Sequence, residues 1–262
     1  MLRHSQSEDH NPEVHDWTGE YADTDNTTFF FDAARSLSEE EGFGHDGLAL
    51  IGLVGSCDLP GVTMRRAQSI LRWDRRPSLW SHAFLVVEPL EHGADAGIRE
   101  VVIHSRAGLF PEPAHNAVTP ASLGRYANAK TDPNVALLAV RMTKEEAQRI
   151  AERATTRQNL ERLRYDLFET LGFWYAYLWT RGTPNPLEQG VPMASSALIE
   201  YCFEEILLDL TPGANDRNSA PEHLWNGARW WSEAFGEFDR PIHGRAVMRD
   251  LGCEVLPPVE YS

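Results

Sequence analysis

Three short segments hold residue types that could together attack a carbonyl carbon. Trp80-Ser81-His82-Ala83-Phe84-Leu85-Val86 places a histidine at the entry to an apolar run. Val101-Val102-Ile103-His104-Ser105 ends a second apolar run on a polar residue. Met193-Ala194-Ser195-Ser196-Ala197-Leu198-Ile199 opens an amphipathic stretch with small polar residues. A nucleophile at a helix N-terminus sits at the positive end of the helix dipole, among unpaired amides. That placement lowers a thiol's pKa and supplies an oxyanion site. A histidine on an adjacent strand can take its proton, and a polar residue on the next strand can orient the imidazole through its other nitrogen. Taken singly, a histidine at a strand entry is more often structural and a serine at a helix start is usually an N-cap. The order of the three segments is what points to chemistry.

The elements that must position these residues follow from hydrophobic periodicity. Leu48–Val54, bounded by glycines, reads as a buried strand. Ala83–Val87 and Glu100–His104 read as two further strands joined by a turn at Glu91–Gly97, and so as a hairpin that makes His82 and His104 neighbours. Val135–Val140 reads as a fourth strand, and Met64–Trp73 as a helix. Thr143-Lys144-Glu145-Glu146 is a capping-box sequence opening a helix with Ala147, Ile150, Ala151 and Ala154 on one face. Leu198, Ile199, Cys202, Phe203, Ile206 and Leu207 recur at the helical period, so a helix starts near Ala194–Ser196. Residues 1–27 are polar and predict a mobile or loosely draped arm ahead of a single domain over 28–262. An aromatic insertion around 167–191 includes Phe173, Trp174, Tyr175, Tyr177 and Trp179; these rings read as core or lid before they read as an acyl groove. Trp225, Trp230 and Trp231 read as core or interface.

Composition narrows the classes. The 262 residues carry 24 Lys and Arg against 39 Asp and Glu, a formal net charge of -15. So acidic a chain is expected to bind neither nucleic acid nor anionic surfaces by general electrostatics. Arg65, Arg66, Arg72, Arg75 and Arg76 lie close together in sequence, which reads first as a solvated segment. Three cysteines, Cys57, Cys202 and Cys253, form no disulfide framework. The polar N-terminus lacks the apolar core of a signal peptide, and no run of eighteen apolar residues occurs. These features predict a cytoplasmic protein, or one exported by a signal-peptide-independent route, without integral membrane association. Gly42-Phe43-Gly44-His45-Asp46-Gly47 matches a dinucleotide-binding pattern but follows an acidic run where a strand is required. Ten histidines show no ligand spacing, so neither a metal nor a cofactor is expected.

The ordered set resembles the permuted NlpC-type papain-like family, with its YiiX-like members, over roughly residues 47–225. The matching elements are Ser81-His82-Ala83-Phe84-Leu85-Val86, the following polar position at His104, the pair Tyr165-Asp166, the helix start Ser195-Ser196-Ala197-Leu198-Ile199, and Ala220-Pro221-Glu222-His223-Leu224. The resemblance implies an α+β, papain-like, circularly permuted fold with an antiparallel sheet packed on helices. It implies a thiol hydrolase or acyltransferase with residue 195 as nucleophile, His82 as base and His104 as orienter. Tyr165, Asp166, Trp80 and Ser196 would line the substrate. The implied substrates are peptide or peptidoglycan-stem amides, or acyl lipids.

Two positions depart from the family pattern. Gly47-Leu48 stands where Gly-Asp is usual, and Ser195 stands where the family has its nucleophilic cysteine. Cys202, seven residues on, lies two turns and about 10 Å further along the helix, within its apolar stripe, and is a poor substitute. Three readings of Ser195 stay open: a replacement of a native cysteine, a natural serine nucleophile, or a pseudoenzyme that binds without turnover. A toxin-like antibacterial effector on the same fold is a further, weaker expectation.

Overall fold

Two runs, Gly47–Gly55 and Asn134–Met142, are apolar at nearly every position and form the middle of the sheet, where both faces are covered. The computed structural model describes residues 14–39, 47–87, 94–102, 115–157, 163–164, 195–212, 214, 219–235 and 242–251. Its strands are β1 (Val14–Asp16), β2 (Gly47–Gly55), β3 (His82–Val86), β4 (Gly97–Val102), β5 (His115–Ser122), β6 (Asn134–Met142), β7 (Leu163–Arg164) and β8 (Ile242–Met248). They lie in the order β1-β8-β6-β2-β3-β4-β5-β7. The six from β8 to β5 pair antiparallel, β1 adds in parallel beside β8, and the two-residue β7 pairs with β5. The helices are α1 (Asn26–Glu39), α2 (Leu59–Ala67), α3 (Lys144–Arg157), α4 (Ser195–Phe203) and α5 (Pro221–Phe235). The architecture is therefore α+β, an open antiparallel sheet with helices on both faces.

Strand alternation divides the core into two layers. On β6, Ala136, Leu138 and Val140 join Ile150 of α3, Leu198, Ile199 and Phe203 of α4, and Leu224 and Trp225 of α5. The intervening Val135, Leu137 and Ala139 join Phe29, Phe30, Ala33 and Leu37 of α1 on the opposite face. β3 splits in the same way, with Ala83 and Leu85 toward α4 and Phe84 toward α1. Because both faces are buried, these strands read as continuous apolar runs rather than as alternating ones.

Several expectations meet their elements directly. In the Thr143 capping box, the Glu146 amide donates to Thr143 Oγ1 at 3.2 Å and the Thr143 amide donates to Glu146 Oε2 at 3.0 Å. Cys202 is fully buried in the core, as its place in the apolar stripe required. Trp225 is buried against Trp80, whereas Trp230 is 45% exposed. The helix expected over Met64–Trp73 starts earlier, at Leu59. Asp58 caps it by accepting from the Gly61 amide, and a 3-10 turn, Gln68–Leu71, follows it.

The polar arm expected over residues 1–27 is built into the fold from residue 14 onward. β1 pairs with β8, Trp17 stacks on Tyr21, and Asn26 is fully buried at the start of α1. Composition hid this because the segment is anchored by hydrogen bonds and two aromatic rings rather than by an apolar run. The clustered arginines also divide. Arg65 is buried, donating to Asp250 Oδ2 at 2.7 Å and to the Ser78 carbonyl at 2.9 Å, and Arg72 bridges Asp74 and Glu222. Only Arg66, Arg75 and Arg76 are exposed. Among the described residues no helix is long and apolar enough to cross a membrane.

One glycine couples the sheet to what lies above it. A Cβ on Gly52 would fall 2.0 Å from Phe84 Cζ, and the Phe84 ring is itself stacked on Tyr126 at 5.3 Å and 6°. The ring has no free direction in which to give way. Gly52→Ala is therefore expected to lose about 1–3 kcal/mol of stability through overpacking, read as a lowered midpoint of urea denaturation. An unchanged midpoint would mean that the Phe84–Tyr126 stack is loose.

Candidate active site

His82 is the first residue of β3, and its side chain takes the strand face that also carries Phe84. The β3–β4 register pairs Leu85 with Arg99 and Val86 with Ile98. Extended by one pleat, that register sets Glu100 diagonally across from His82 on the same face. His82 Nε2 lies 2.8 Å from Glu100 Oε2, and the Glu100 side chain is fully buried.

Two more donors reach the same carboxylate. Arg125 Nη1 donates to Oε1 at 2.9 Å, and the Tyr126 hydroxyl donates a very short hydrogen bond to Oε2. Both come from the 3-10 turn Leu123–Tyr126 that follows β5. Burial alone would raise the Glu100 pKa. The hydrogen bond and charge of His82, the Tyr126 hydroxyl and the Arg125 guanidinium outweigh it and hold the carboxyl below its ordinary range. Tyr126 is pushed well above its usual value, first by burial and then by the Glu100 charge and hydrogen bond, so it stays a hydroxyl donor.

Ser195 approaches from the opposite layer as the first residue of α4, a helix that packs along β3 and β4. Its Oγ accepts the Ala83 amide at 3.3 Å, and the residue is 8% exposed. That amide belongs to the peptide bond joining His82 to Ala83, which puts Ser195 Oγ within about 6 Å of His82 Cα by standard backbone dimensions. The first turn of α4 leaves amides without intrahelical partners beside it. A second buried carboxylate, Asp132, stands near His82. Burial raises its pKa, while hydrogen bonds from Ser56 and Thr131 and the His82 charge act against the rise.

The remaining expected site residues fall as follows. Trp80 is fully buried with its ring tilted against Trp225, so it packs in the core beneath the site. Ser196 is fully buried and donates to the Ser219 carbonyl, tying α4 to the segment before α5. His104, Tyr165, Asp166 and the aromatic insertion around 167–191 lie outside the described residues. Among the described residues, the group on His82 Nε2 is Glu100, which the residue pattern alone did not single out. A charged residue inside a strand reads as a solvent-facing position. Its register with His82 was the one signal that could have found it.

No cluster of three or more His, Cys, Asp or Glu residues suited to a metal ion occurs among the described residues. No family model, no curated protein and no solved structure matches the chain.

The Glu100 environment makes a pH-dependent prediction. Its folded pKa lies below the unfolded value of about 4.3, so its contribution is fully present above that value and is lost as pH falls through the folded one. Glu100→Gln should cost about 1–2 kcal/mol at neutral pH, because the hydrogen bonds from Tyr126 and His82 lose a charged buried acceptor, while half-exposed Arg125 regains water. The stability gap to the unaltered chain should narrow below about pH 4. Urea denaturation of both proteins between pH 7 and pH 3 measures this. A gap that does not change with pH would remove the ionised carboxylate from the account.

Proposed function

We propose that this protein is a hydrolase or acyltransferase that attacks an amide, ester or thioester carbonyl through residue 195, with His82 as base and Glu100 as its orienter. The observation that carries the reading is the meeting of a helix-start serine with the peptide bond of a histidine whose Nε2 is held by a buried carboxylate. The papain-like, permuted NlpC-type resemblance adds the expected order of the parts and the substrate classes: peptide, peptidoglycan stem or acyl lipid.

The chemistry follows from which groups are committed. Nε2 is engaged by Glu100, so Nδ1 is the ring nitrogen left to take a proton; because Ser195 Oγ meets the His82–Ala83 peptide bond rather than the imidazole, transfer requires the ring or the serine side chain to turn toward the other when substrate binds. The Ala83 amide donates to Ser195 Oγ and so favours negative charge as it develops there. The nucleophile adds to the carbonyl carbon, and His82 holds the released proton. The carbonyl oxygen takes up the charge near the N-terminal amides of α4, and the imidazolium then returns the proton to the leaving nitrogen, oxygen or sulfur. Water or an acceptor nucleophile releases the acyl group by the same steps in reverse.

The ionised third residue bears on the choice of nucleophile. A thiolate can rest as an ion pair with imidazolium and needs only an orienting neighbour, whereas a serine hydroxyl is far less acidic and relies on a base made stronger by a negative partner. Glu100 is such a partner, which favours a natural serine at 195 over a site that has lost turnover.

The test is a panel of p-nitrophenyl esters of short and long acyl chains, peptide amides and thioesters, with a fluorophosphonate probe for the hydroxyl. Ser195→Ala and His82→Ala should each reduce hydrolysis by about 10²–10⁴-fold, and Ser195→Ala should abolish labelling. If Ser195→Cys alone gains activity and the unaltered chain is inert, the site is a thiol site occupied by serine. If neither form turns over any member or takes the probe, the acyl-transfer reading falls.

A further inference from the structure

We propose that Tyr126, supported by Arg125, is the positioning residue that fixes the tautomer of the His82 ring: it holds Glu100 as a pure acceptor, so that Nε2 carries the ring proton and Nδ1 presents a lone pair. The proposal deepens the acyl-transfer reading and rests on it for the role given to Nδ1.

Glu100 has two oxygens facing three groups: the Arg125 guanidinium on Oε1, and the Tyr126 hydroxyl and His82 Nε2 on Oε2. Arginine is only ever a donor. The Tyr126 side chain is buried, and its hydroxyl donates to Glu100 Oε2. A proton on Oε2 would leave the Tyr126 hydroxyl facing the weakly accepting oxygen of an acid O–H and would deprive the Arg125 guanidinium of its counter-charge. The alternative arrangement, a neutral acid donating to a bare Nε2, is thereby disfavoured, and with it the tautomer that would place the proton on Nδ1 and block proton transfer from residue 195.

The placement of Tyr126 is over-determined, as a positioning residue requires. Its ring stacks on Phe84 at 5.3 Å and 6°, and its centroid lies 5.8 Å from that of His82. Its carbonyl accepts Asn26 Nδ2 at 2.9 Å, and the same amide nitrogen donates to the Asp132 carbonyl at 2.8 Å. Arg249 Nη1 in turn donates to Asn26 Oδ1 at 2.8 Å. The start of α1 and the residue after β8 therefore both hold the turn that aims the hydroxyl.

The experiment is long-range ¹H–¹⁵N correlation of the imidazole nitrogens in the full chain, on protein labelled at histidine. His82→Gln identifies the His82 signals among the ten histidines. At a pH where the ring is neutral, His82 of the unaltered protein should be protonated at Nε2, with a downfield Nε2 proton from its bond to Glu100. Tyr126→Phe keeps the stacked ring and deletes one donor; it should move both ring nitrogens toward the average of the two tautomers. Arg125→Gln, at a half-exposed side chain, should move them in the same direction, and Arg125→Lys should restore much of the original pattern. On an ester that the protein hydrolyses, Tyr126→Phe should lower kcat by roughly tenfold with KM unchanged. A His82 ring protonated at Nδ1 in the unaltered protein would overturn the proposal. So would spectra of Tyr126→Phe and Arg125→Gln that both match it. The NMR pattern needs no substrate: a tautomer that responds to Tyr126 in a protein inert toward every ester, amide and thioester leaves the proposal standing and removes the acyl-transfer reading alone.

Discussion

A single ionised carboxylate with no exposure to water sets the terms for one end of this molecule. Removing a carboxylate from water costs several kcal/mol unless charged or hydrogen-bonding partners replace its solvent. Glu100 meets that requirement with donors from two separate places, the entry of β3 and the turn after β5. Neither place can move without uncovering the charge. β3, β4 and the Leu123–Tyr126 turn are therefore locked in register by electrostatics at the point where the β3–β4 ladder is short. The Phe84–Tyr126 stack and the absent side chain at Gly52 carry that constraint into the middle of the sheet.

Around this centre the same end of the sheet is unusually rich in buried polar contacts. Arg65 ties α2 to Asp250 beyond β8 and to the Ser78 carbonyl. Glu222, at the start of α5, accepts from Ser78 at 2.6 Å and from Arg72 at 3.2 Å, and its amide donates to Gln68 Oε1 at 2.9 Å. Burial raises the Glu222 pKa, and Ser78 and Arg72 act against it. These contacts bracket residues 78–82, the stretch that delivers His82 to its strand. Elsewhere the two faces of the sheet are held mainly by apolar packing, which is tolerant of small shifts. The site end is held by directional bonds, which are not.

What the sequence revealed, and what it concealed, follows from the same division. β2, β6 and the histidine strand were legible because burial on two faces leaves an apolar run, and the start of α4 because its stripe repeats at the helical period. The Thr143 box declared itself by two residues at a fixed spacing. α1 was missed because Phe29, Phe30, Ala33 and Leu37 are embedded among polar residues. β8, Ile242–Met248, was missed because His243 and Arg245 interrupt it. Glu100, Tyr126 and Asn26 were illegible for a deeper reason. Each is polar, and each is buried by virtue of partners 18 to 223 positions away, a relation that no local pattern encodes.

The position of β8 has a consequence for how the chain comes to be folded at all. β8 is not an edge added last to a finished sheet; it lies between β1 and β6, so the first and the last described strands of the chain are hydrogen-bonded neighbours. During synthesis from the N-terminus, β1 has no partner until residues 242–248 leave the ribosome, and the outer edge of β6 stays open for the same interval. Pairing across so long a separation is slow and leaves an exposed strand edge that invites association with other chains. The same delay applies to Arg249, which reaches back to the Pro133 carbonyl and to Asn26, whose side chain in turn holds the Tyr126 carbonyl. A nascent chain would thus contain residues 82 and 195 well before Arg249 could fix Asn26 and, through it, the turn that carries Tyr126.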